Sequence, residues 1–191
     1  MNKDRLRGLL LISLLSLFAV CSNAVPSVSS SSPGSRGQLV SEARASLNSL
    51  YASSPKAKKL AENATAILVF PAVLKGGLIV GASGGNGVLF RPNGTVLGYY
   101  NVTSLSYGLQ AGAQNFSEAM FLMKPTVLRY LNSTEGLSVG SGPSVAILDE
   151  GIGKDMSSTT LRSDIYAVVF GQRGLMAGIG IQGQKISRLN G

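Results

Sequence analysis

The hydrophobic pattern of the chain changes from helical to extended near Ala66. In Gln38–Tyr51 the apolar residues recur at helical spacing and fall on one face. Ser54 followed by Pro55 is typical of a helix start, with serine as the cap, and predicts a second helix over Pro55–Glu62. Beyond Ala66 the apolar residues come in short runs and alternations, which predict strands.

The first strand region is unusually rich in glycine. Ala66–Phe70 is a short apolar run that ends at Pro71, a pattern that predicts a buried strand closed by the proline. Glycines from Gly76 to Gly87 then interrupt a second apolar run, Leu78–Val80. This spacing predicts a strand, a tight connection and another strand, with another group approaching the glycine backbone closely.

Two later segments alternate apolar side chains with glycine or glutamine. Tyr107–Gln114 and Arg173–Gln184 are each expected to form a buried strand with a glycine-lined face. Valine at Gly112 or Gly180 would then overpack the adjacent layer.

Shorter signals complete the pattern. Arg91–Gly94 contains an Asn-Gly pair typical of a hairpin turn, and Thr126–Leu131 is expected to form a short helix after Lys124 and Pro125. The sequence therefore predicts an α+β fold, with N-terminal helices packed on a curved, mostly antiparallel, barrel-like sheet.

The first 24 residues have the layout of an export signal. Lys3, Arg5 and Arg7 precede the apolar core Leu9–Val20, and small and polar residues follow it. Twelve helical residues span about 18 Å, less than the ~30 Å hydrocarbon core of a bilayer. Met1–Ala24 is therefore predicted to be a signal peptide rather than a permanent anchor.

Two processing outcomes fit this leader. Cys21 directly follows the apolar core, where the acylated cysteine of a bacterial lipoprotein lies, although Val20 is bulkier than the usual preceding residue. Ser22–Ala24 instead suits cleavage before Val25. Residues 25–37 are rich in Ser, Pro and Gly and are expected to form a flexible tether, which favours lipid attachment at Cys21. Ser22 follows the cysteine in place of the aspartate that usually retains bacterial lipoproteins in the inner membrane, which indicates the outer membrane.

Several blocks of the remaining chain resemble the SYLF domain family. They are ILVFP followed by KGG and GxG, Leu97–Gln114, Gly142–Gly151, Thr159–Gly183 and the closing Lys185-Ile186. The resemblance covers Gln38 to Asn190, and the expected domain is 38–191. It implies a lipid-binding domain, associated in eukaryotic members with phosphoinositide-rich membranes and sometimes actin, whereas bacterial members are mostly exported lipoproteins. No catalytic residue is implied.

Composition and charge narrow the function. The 191 residues carry a net charge of +8, and from Val25 onward 14 basic and 8 acidic residues leave +6, which favours anionic partners. There is no histidine and one cysteine, Cys21, so histidine-based triads, typical zinc sites and an internal disulfide are excluded. No cofactor, metal or nucleic-acid partner is predicted.

A cluster of lysines is the candidate lipid-binding site. Lys56, Lys58 and Lys59 lie near the start of the second predicted helix, and Lys75 follows the first strand. On an exposed helix face these side chains could bind anionic phospholipid head groups, although a merely solvated face has the same pattern. The basic N-terminal part of SYLF domains contacts lipid in eukaryotic members, and this resemblance favours the membrane.

Other motifs are assigned no function. Gly178–Gly183 matches GxGxxG, but neither a following helix nor an acidic residue at the required distance is available for dinucleotide binding. Gly81–Gly87 lacks the Gly-Lys-Ser/Thr of a phosphate loop. The acidic residues Asp149, Glu150, Asp155 and Asp164 are interpreted as loop caps and salt-bridge partners rather than a metal or acid–base site.

The chain also contains five N-x-S/T triplets, which are interpreted as coincidental unless the source is eukaryotic, in which case some would be glycosylated. They begin at Asn63, Asn93, Asn101, Asn115 and Asn132.

These observations predict a non-catalytic, exported protein on the periplasmic side of the cell envelope, lipid-anchored in the outer membrane, that binds anionic lipid. The alternative is a protein–protein interaction module that uses the glycine-faced sheet. A hydrolase using Asp149, Asp155 or Asp164 is disfavoured because the sequence offers neither a base partner nor a nucleophile elbow.

Overall fold

The computed structural model describes residues 33–77, 80–107, 112–149, 162–174 and 183–190. The helices are α1 (Pro33–Ser53), α2 (Pro55–Asn63) and α3 (Pro125–Asn132). The strands are β1 (Ala66–Gly77), β2 (Val80–Phe90), β3 (Val96–Tyr107), β4 (Gly112–Leu122), β5 (Leu137–Ser138), β6 (Val145–Asp149), β7 (Ile165–Gly174) and β8 (Gln184–Arg188). The predicted signal peptide, Cys21 and the first part of the expected tether, residues 25–32, lie outside the described residues.

The strands form one curved sheet with the order β5-β8-β3-β2-β1-β4-β7-β6. Among the described strand pairs, β6 and β7 are parallel and the others are antiparallel. The sheet curls so strongly that Gln184 on β8 donates a hydrogen bond to Glu118 on β4, at 3.0 Å, although three strands separate them in the sheet. The sheet is a half-barrel, and the predicted α+β fold with a curved sheet is confirmed.

Apolar side chains fill both faces of the sheet. The concave core joins the inward-facing residues of the strands to Val127 and Leu131 of α3. The convex core lies between the sheet and the two N-terminal helices, where Leu50 of α1 and Leu60 of α2 belong to the same cluster as Phe121 and Phe170. The amphipathic pattern of the first two helices thus buries their apolar faces against the convex side.

Pro71 lies inside β1 and does not end it. The register of β1 shifts between Phe70 and Val73, where β4 pairs with it. Proline has no N–H to donate to the ladder, so an irregularity is the position where a central strand tolerates it. The Pro71 carbonyl oxygen accepts a hydrogen bond of 2.8 Å from Ser117 Oγ. The predicted stop at Pro71 is therefore wrong, and this bulge reverses which residues of β1 face inward.

The close approach predicted for the glycine backbone occurs at two residues of β2. A Cβ at Gly87 would lie 2.4 Å from the Phe70 ring, and a Cβ at Gly85 would lie 2.4 Å from the Ala72 carbonyl oxygen. The approaching group is the bulged part of β1. These glycines therefore let β1 and β2 remain paired next to the bulge.

The two later glycine-rich segments are described only in part. Tyr107 ends β3 and Gly112 begins β4, and these strands are not neighbours in the sheet. Tyr107–Gln114 is therefore not a single strand, whereas residues 175–182 of the Arg173–Gln184 segment lie outside the described residues. Gly112 is exposed and has φ of +138°, so valine there would be strained by its backbone conformation rather than by overpacking. Gly180 lies outside the described residues.

The shorter predictions agree better with the structure. Thr126–Leu131 lies within α3, and the Arg91–Gly94 turn joins β2 to β3. In this turn the Arg91 N–H donates to the Thr95 carbonyl oxygen at 2.8 Å, and Gly94 has φ of +84°. Asn101 and Asn115 lie in strands, as expected of two of the five triplets.

Helix α1 begins five residues earlier than predicted. It starts at Pro33, so the last part of the expected tether, residues 33–37, is helical. Proline is favoured in the first turn of a helix because its missing N–H has no intrahelical partner there. Among the described residues, no helix is both long enough and apolar enough to cross a membrane.

Candidate anion-binding surface

Helix α2 exposes two of the predicted lysines. Ser54 caps the helix, accepting a hydrogen bond from the Ala57 N–H at 3.3 Å, and Pro55 occupies its first turn. Ala57, Leu60 and Ala61 are buried against the body of the domain. Because these residues fix the rotation of the helix, Lys58 and Lys59 extend into solvent. Two cations on one short helix attract anions without any further contact.

Lys56 is less exposed than Lys58 and Lys59, so the prediction that all three lysines face solvent is wrong for this residue. Its side chain is half-buried. The Nζ atom is shielded from solvent and has no hydrogen-bond partner among the described residues. An ammonium group without a protein partner is costly to shield from water. Lys56 is therefore less accessible to a surface than Lys58 and Lys59.

Lys75 does not belong to this surface. It lies in the middle of the sheet on the concave face, 5% exposed, and pairs with Ser83 of β2 and Gln114 of β4. The cause is the bulge at Pro71, because an unbroken alternation would place residue 75 on the same face as Ile67 and Val69. The predicted cluster of four lysines is therefore wrong, and the sheet separates Lys75 from the exposed lysines of α2.

Arginines that the sequence analysis did not select line two clefts beside α1. The first cleft lies between α1 and the β2–β3 turn, has a volume of about 260 Å³, and contains Arg44 and Arg91. Arg44 Nη2 donates to the Gly94 carbonyl oxygen at 2.7 Å, and its guanidinium carbon is 5.2 Å from the centroid of the Phe90 ring. Arg91 is exposed. Arg44 is thus held in place while Arg91 remains open to solvent.

The second cleft lies at the other end of α1. It has a volume of about 440 Å³ and contains Arg36 and Arg188. The guanidinium carbon of Arg36 is 5.0 Å from the centroid of the Tyr99 ring, a cation–π contact. Arg188 Nη1 donates to Asn132 Oδ1 at 2.9 Å. Arg36 lies within the expected tether, so the prediction of a flexible segment concealed its role.

The electrostatics of the two clefts are one-sided. Among the described residues, none that lines either cleft is acidic. Arginine presents a planar fork of donors that matches phosphate oxygens, and each cleft contains two such side chains. The clefts therefore have the chemistry of a site for phosphate or another oxyanion.

For Asp164 the interpretation as a cap and salt-bridge partner is confirmed. One carboxylate oxygen lies 2.6 Å from Lys124 Nζ, and the other accepts hydrogen bonds of 2.9 Å from both the N–H and the Oγ of Ser144. These contacts, the Lys124 hydrogen bond first, lower the pKa of Asp164 to about 2. Within the described ranges no group of three potential metal ligands comes together, while Glu150 and Asp155 lie outside those ranges.

A belt of polar residues crosses the concave face near its glycine-rich end. The residues are in register on five strands: Gln184, Ser104, Ser83, Lys75 and Gln114. Ser83 Oγ and Ser104 Oγ are 2.6 Å apart. Across the interior, Glu118 is fully buried and accepts the hydrogen bond from Gln184. This polar belt closes one end of the concave core.

The polar belt leaves acceptors unsatisfied. Gln114 Oε1, Gln184 Oε1 and Glu118 Oε1 are buried and have no hydrogen-bond partner among the described residues. Burial raises the pKa of Glu118 to about 7, and the hydrogen bond from Gln184 lowers it by a smaller amount. The alternation of β4 contains a signal for this network, because Gln114 and Glu118 share their face with Phe116 and Met120.

Neither the scan against protein-family models nor the search of curated proteins found a match for this chain. The resemblance to the SYLF family therefore stays a prediction.

Proposed function

We propose that this chain is a non-catalytic, exported protein that binds anionic lipid head groups at a membrane surface on the periplasmic side of the cell envelope. The observation that carries the proposal is the pair of clefts beside α1, each lined by two arginines and, within the described part of the chain, by no acidic residue. Lys58 and Lys59 of α2 add exposed positive charge on the same side of the sheet, since both helices pack on its convex face.

Physical magnitudes favour reversible binding. A basic side chain near an anionic bilayer contributes about 1 kcal/mol, and the effect decays within a Debye length. A few such residues give weak, salt-sensitive attachment, which suits a domain held near the bilayer by a separate anchor. The proposed anchor is an acyl group on Cys21, with the periplasmic face of the outer membrane as its location.

We expect the chain from Val25 onward, which includes every described residue, to bind anionic vesicles more strongly than neutral ones. Flotation with vesicles of phosphatidylglycerol and phosphatidylcholine in equal amounts, or of phosphatidylcholine alone, measures the difference. Binding should weaken as salt rises, because the Debye length falls from about 10 Å at ~0.1 M to about 3 Å at ~1 M. Equal binding to both vesicles would contradict the proposal and favour a protein-interaction module.

A triple variant tests which basic residues bind the anionic vesicles. Lys58→Gln, Lys59→Gln and Arg91→Gln together should remove most anionic binding, at about 1 kcal/mol for each residue, without loss of thermal stability because the three side chains are exposed. The control replaces Arg129 and Arg162, exposed arginines that line neither cleft, and should bind as the parent does. Similar losses in both variants would indicate a general charge effect.

The anchor has an independent test. Intact-mass spectrometry of the protein from membranes should show a mature chain that begins at Cys21 and carries added lipid. Cys21→Ser should move the protein to the soluble envelope fraction. A mature mass that begins at Val25 without lipid would refute the anchor and leave the proposed binding surface unaffected.

A further inference from the structure

The convex face of the half-barrel is divided into two regions. Helices α1 and α2 cover the region around Val69 and Phe90. Toward the glycine-rich ends of the strands, no described helix packs on the sheet, and the side chains of Leu74 and Leu105 are 63% and 67% exposed. Because an exposed apolar patch that is contiguous can mark an interaction surface, the arrangement of these residues on the sheet matters.

Strand register defines this surface. One row crosses six strands on the convex face: Lys185, Thr103, Gly84, Leu74, Asn115 and Arg173. The next row, nearer the glycine-rich end, contains Leu105, Ala82, Gly76 and Ala113. We call these two rows the convex patch.

The convex patch has an apolar centre and basic edges. Leu74, Leu105 and small residues occupy its middle strands, whereas Arg173 on β7 and Lys185 on β8 lie at its two sides, both exposed. Neither row contains an acidic residue. Basic residues that flank an apolar strip suit the boundary between anionic head groups and acyl chains, because their long stems cover apolar surface while the charges stay in the head-group layer.

We infer that the convex patch is the part of the domain that enters the head-group region of an anionic membrane, with Leu74 and Leu105 as the inserted side chains. This inference rests on the proposed function and adds to its basic surface, the arginine clefts with Lys58 and Lys59, a second contact made by apolar side chains. The centre of a protein interface is usually built on aromatic or arginine anchors that fill pockets. The middle of this patch instead carries glycine, alanine, threonine and Asn115 around two leucines, and its charges have one sign, as an anionic bilayer requires.

The test uses the chain from Val25 onward, which has neither cysteine nor tryptophan. Leu74→Ser combined with Leu105→Ser should reduce partitioning to vesicles of phosphatidylglycerol and phosphatidylcholine roughly tenfold. The reason is that two leucine side chains no longer gain free energy by moving their apolar surface from water into the membrane. The matched control is Ile147→Ser, at a 45% exposed aliphatic residue of β6 that pairs with Ala167 of the concave core. It should partition as the parent does.

A direct readout follows from the missing cysteine. An environment-sensitive fluorophore on Leu105→Cys should shift to the blue on adding these vesicles, whereas the same label on Ile147→Cys should not. If the parent binds but the serine pair binds equally well and the label at residue 105 stays unshifted, the inference is refuted and the proposed function survives.

Two other outcomes are distinct. Failure of the parent to bind either vesicle would refute the proposed function, and with it this inference. Leucine-dependent association of the lipid-free chain, seen by sedimentation, would overturn the inference by assigning the convex patch to a second copy of the chain.

Discussion

Stability is expected to fall as the pH rises through the range in which buried Glu118 loses its proton. The pKa of Glu118 is raised from 4.5 to about 7, primarily by burial. The folded state therefore holds a proton that the unfolded state has already released between these values. The stability from this group is complete below about pH 4.5 and is lost as the pH rises to about 7, for a total of roughly 3 kcal/mol.

The Glu118→Gln variant isolates the contribution of Glu118 to the pH dependence of stability from that of the other acidic residues. Glu118→Gln keeps the size of the side chain and an acceptor for the Gln184 amide, but removes the titration. We expect the urea midpoint of the parent to fall relative to this variant between mildly acidic and mildly alkaline pH. The contribution of Asp164 is the same in both proteins and cancels in the difference. Because the pKa of Asp164 is lowered, this residue stabilises the fold at higher pH, and that stabilisation is lost only as the pH falls toward 2.

A surface carboxyl provides the control for this experiment. Glu135→Gln changes the same chemistry at an exposed position after α3, and its urea midpoint should follow that of the parent across the pH range. Parallel pH profiles for the parent and Glu118→Gln would show that the buried carboxyl does not titrate in this range.

The features that the sequence predicted are those that local rules determine. Helical spacing located α1, the Ser54-Pro55 pair located the start of α2, the Asn-Gly pair located the β2–β3 turn, and Pro125 marked the start of α3. Each depends on residues close to one another in the chain. The curvature of the sheet also followed from its glycine content.

The candidate site was harder to predict because it depends on register. One irregularity at Pro71 places Lys75 on the concave face and Leu74 on the convex face. Side chains on a strand alternate with a period of two, so one inserted residue exchanges the faces of all that follow. The sequence showed the proline, but not whether the strand ended there or continued through a bulge.

The arginine clefts depend on contacts between distant parts of the chain. Arg44 lies 50 residues before Gly94, whose carbonyl oxygen it binds. Arg36 and Arg188 come from opposite ends of the domain and meet beside β3. Nothing in the local pattern of these residues indicates such neighbours, whereas the lysines of α2 were evident as a run.

Replacing Gly87 with alanine is expected to destabilise the fold by about 1–3 kcal/mol, the usual range for overpacking. Its Cβ would lie 2.4 and 2.7 Å from two atoms of the Phe70 ring and 2.7 Å from the Val69 carbonyl oxygen. The Phe70 ring is fully buried in the concave core, and the Val69 carbonyl oxygen belongs to the backbone of the adjacent strand. Neither group can move without disturbing β1. The urea midpoint of the purified variant measures the loss.

Gly84 on the same strand provides the matched control. A Cβ there would lie 3.6 Å from the Val102 carbonyl oxygen, an ordinary contact, so Gly84→Ala should leave stability unchanged or raise it slightly by restricting the unfolded chain. In a Phe70→Leu background, which lacks the ring Cε1 atom and can turn its shorter side chain away, Gly87→Ala should cost less than it does in the parent. Equal stability of Gly87→Ala and Gly84→Ala would mean that β1 does not approach β2 closely enough at the bulge to exclude a Cβ atom. In that case the glycines of β2 would have to be explained by curvature alone.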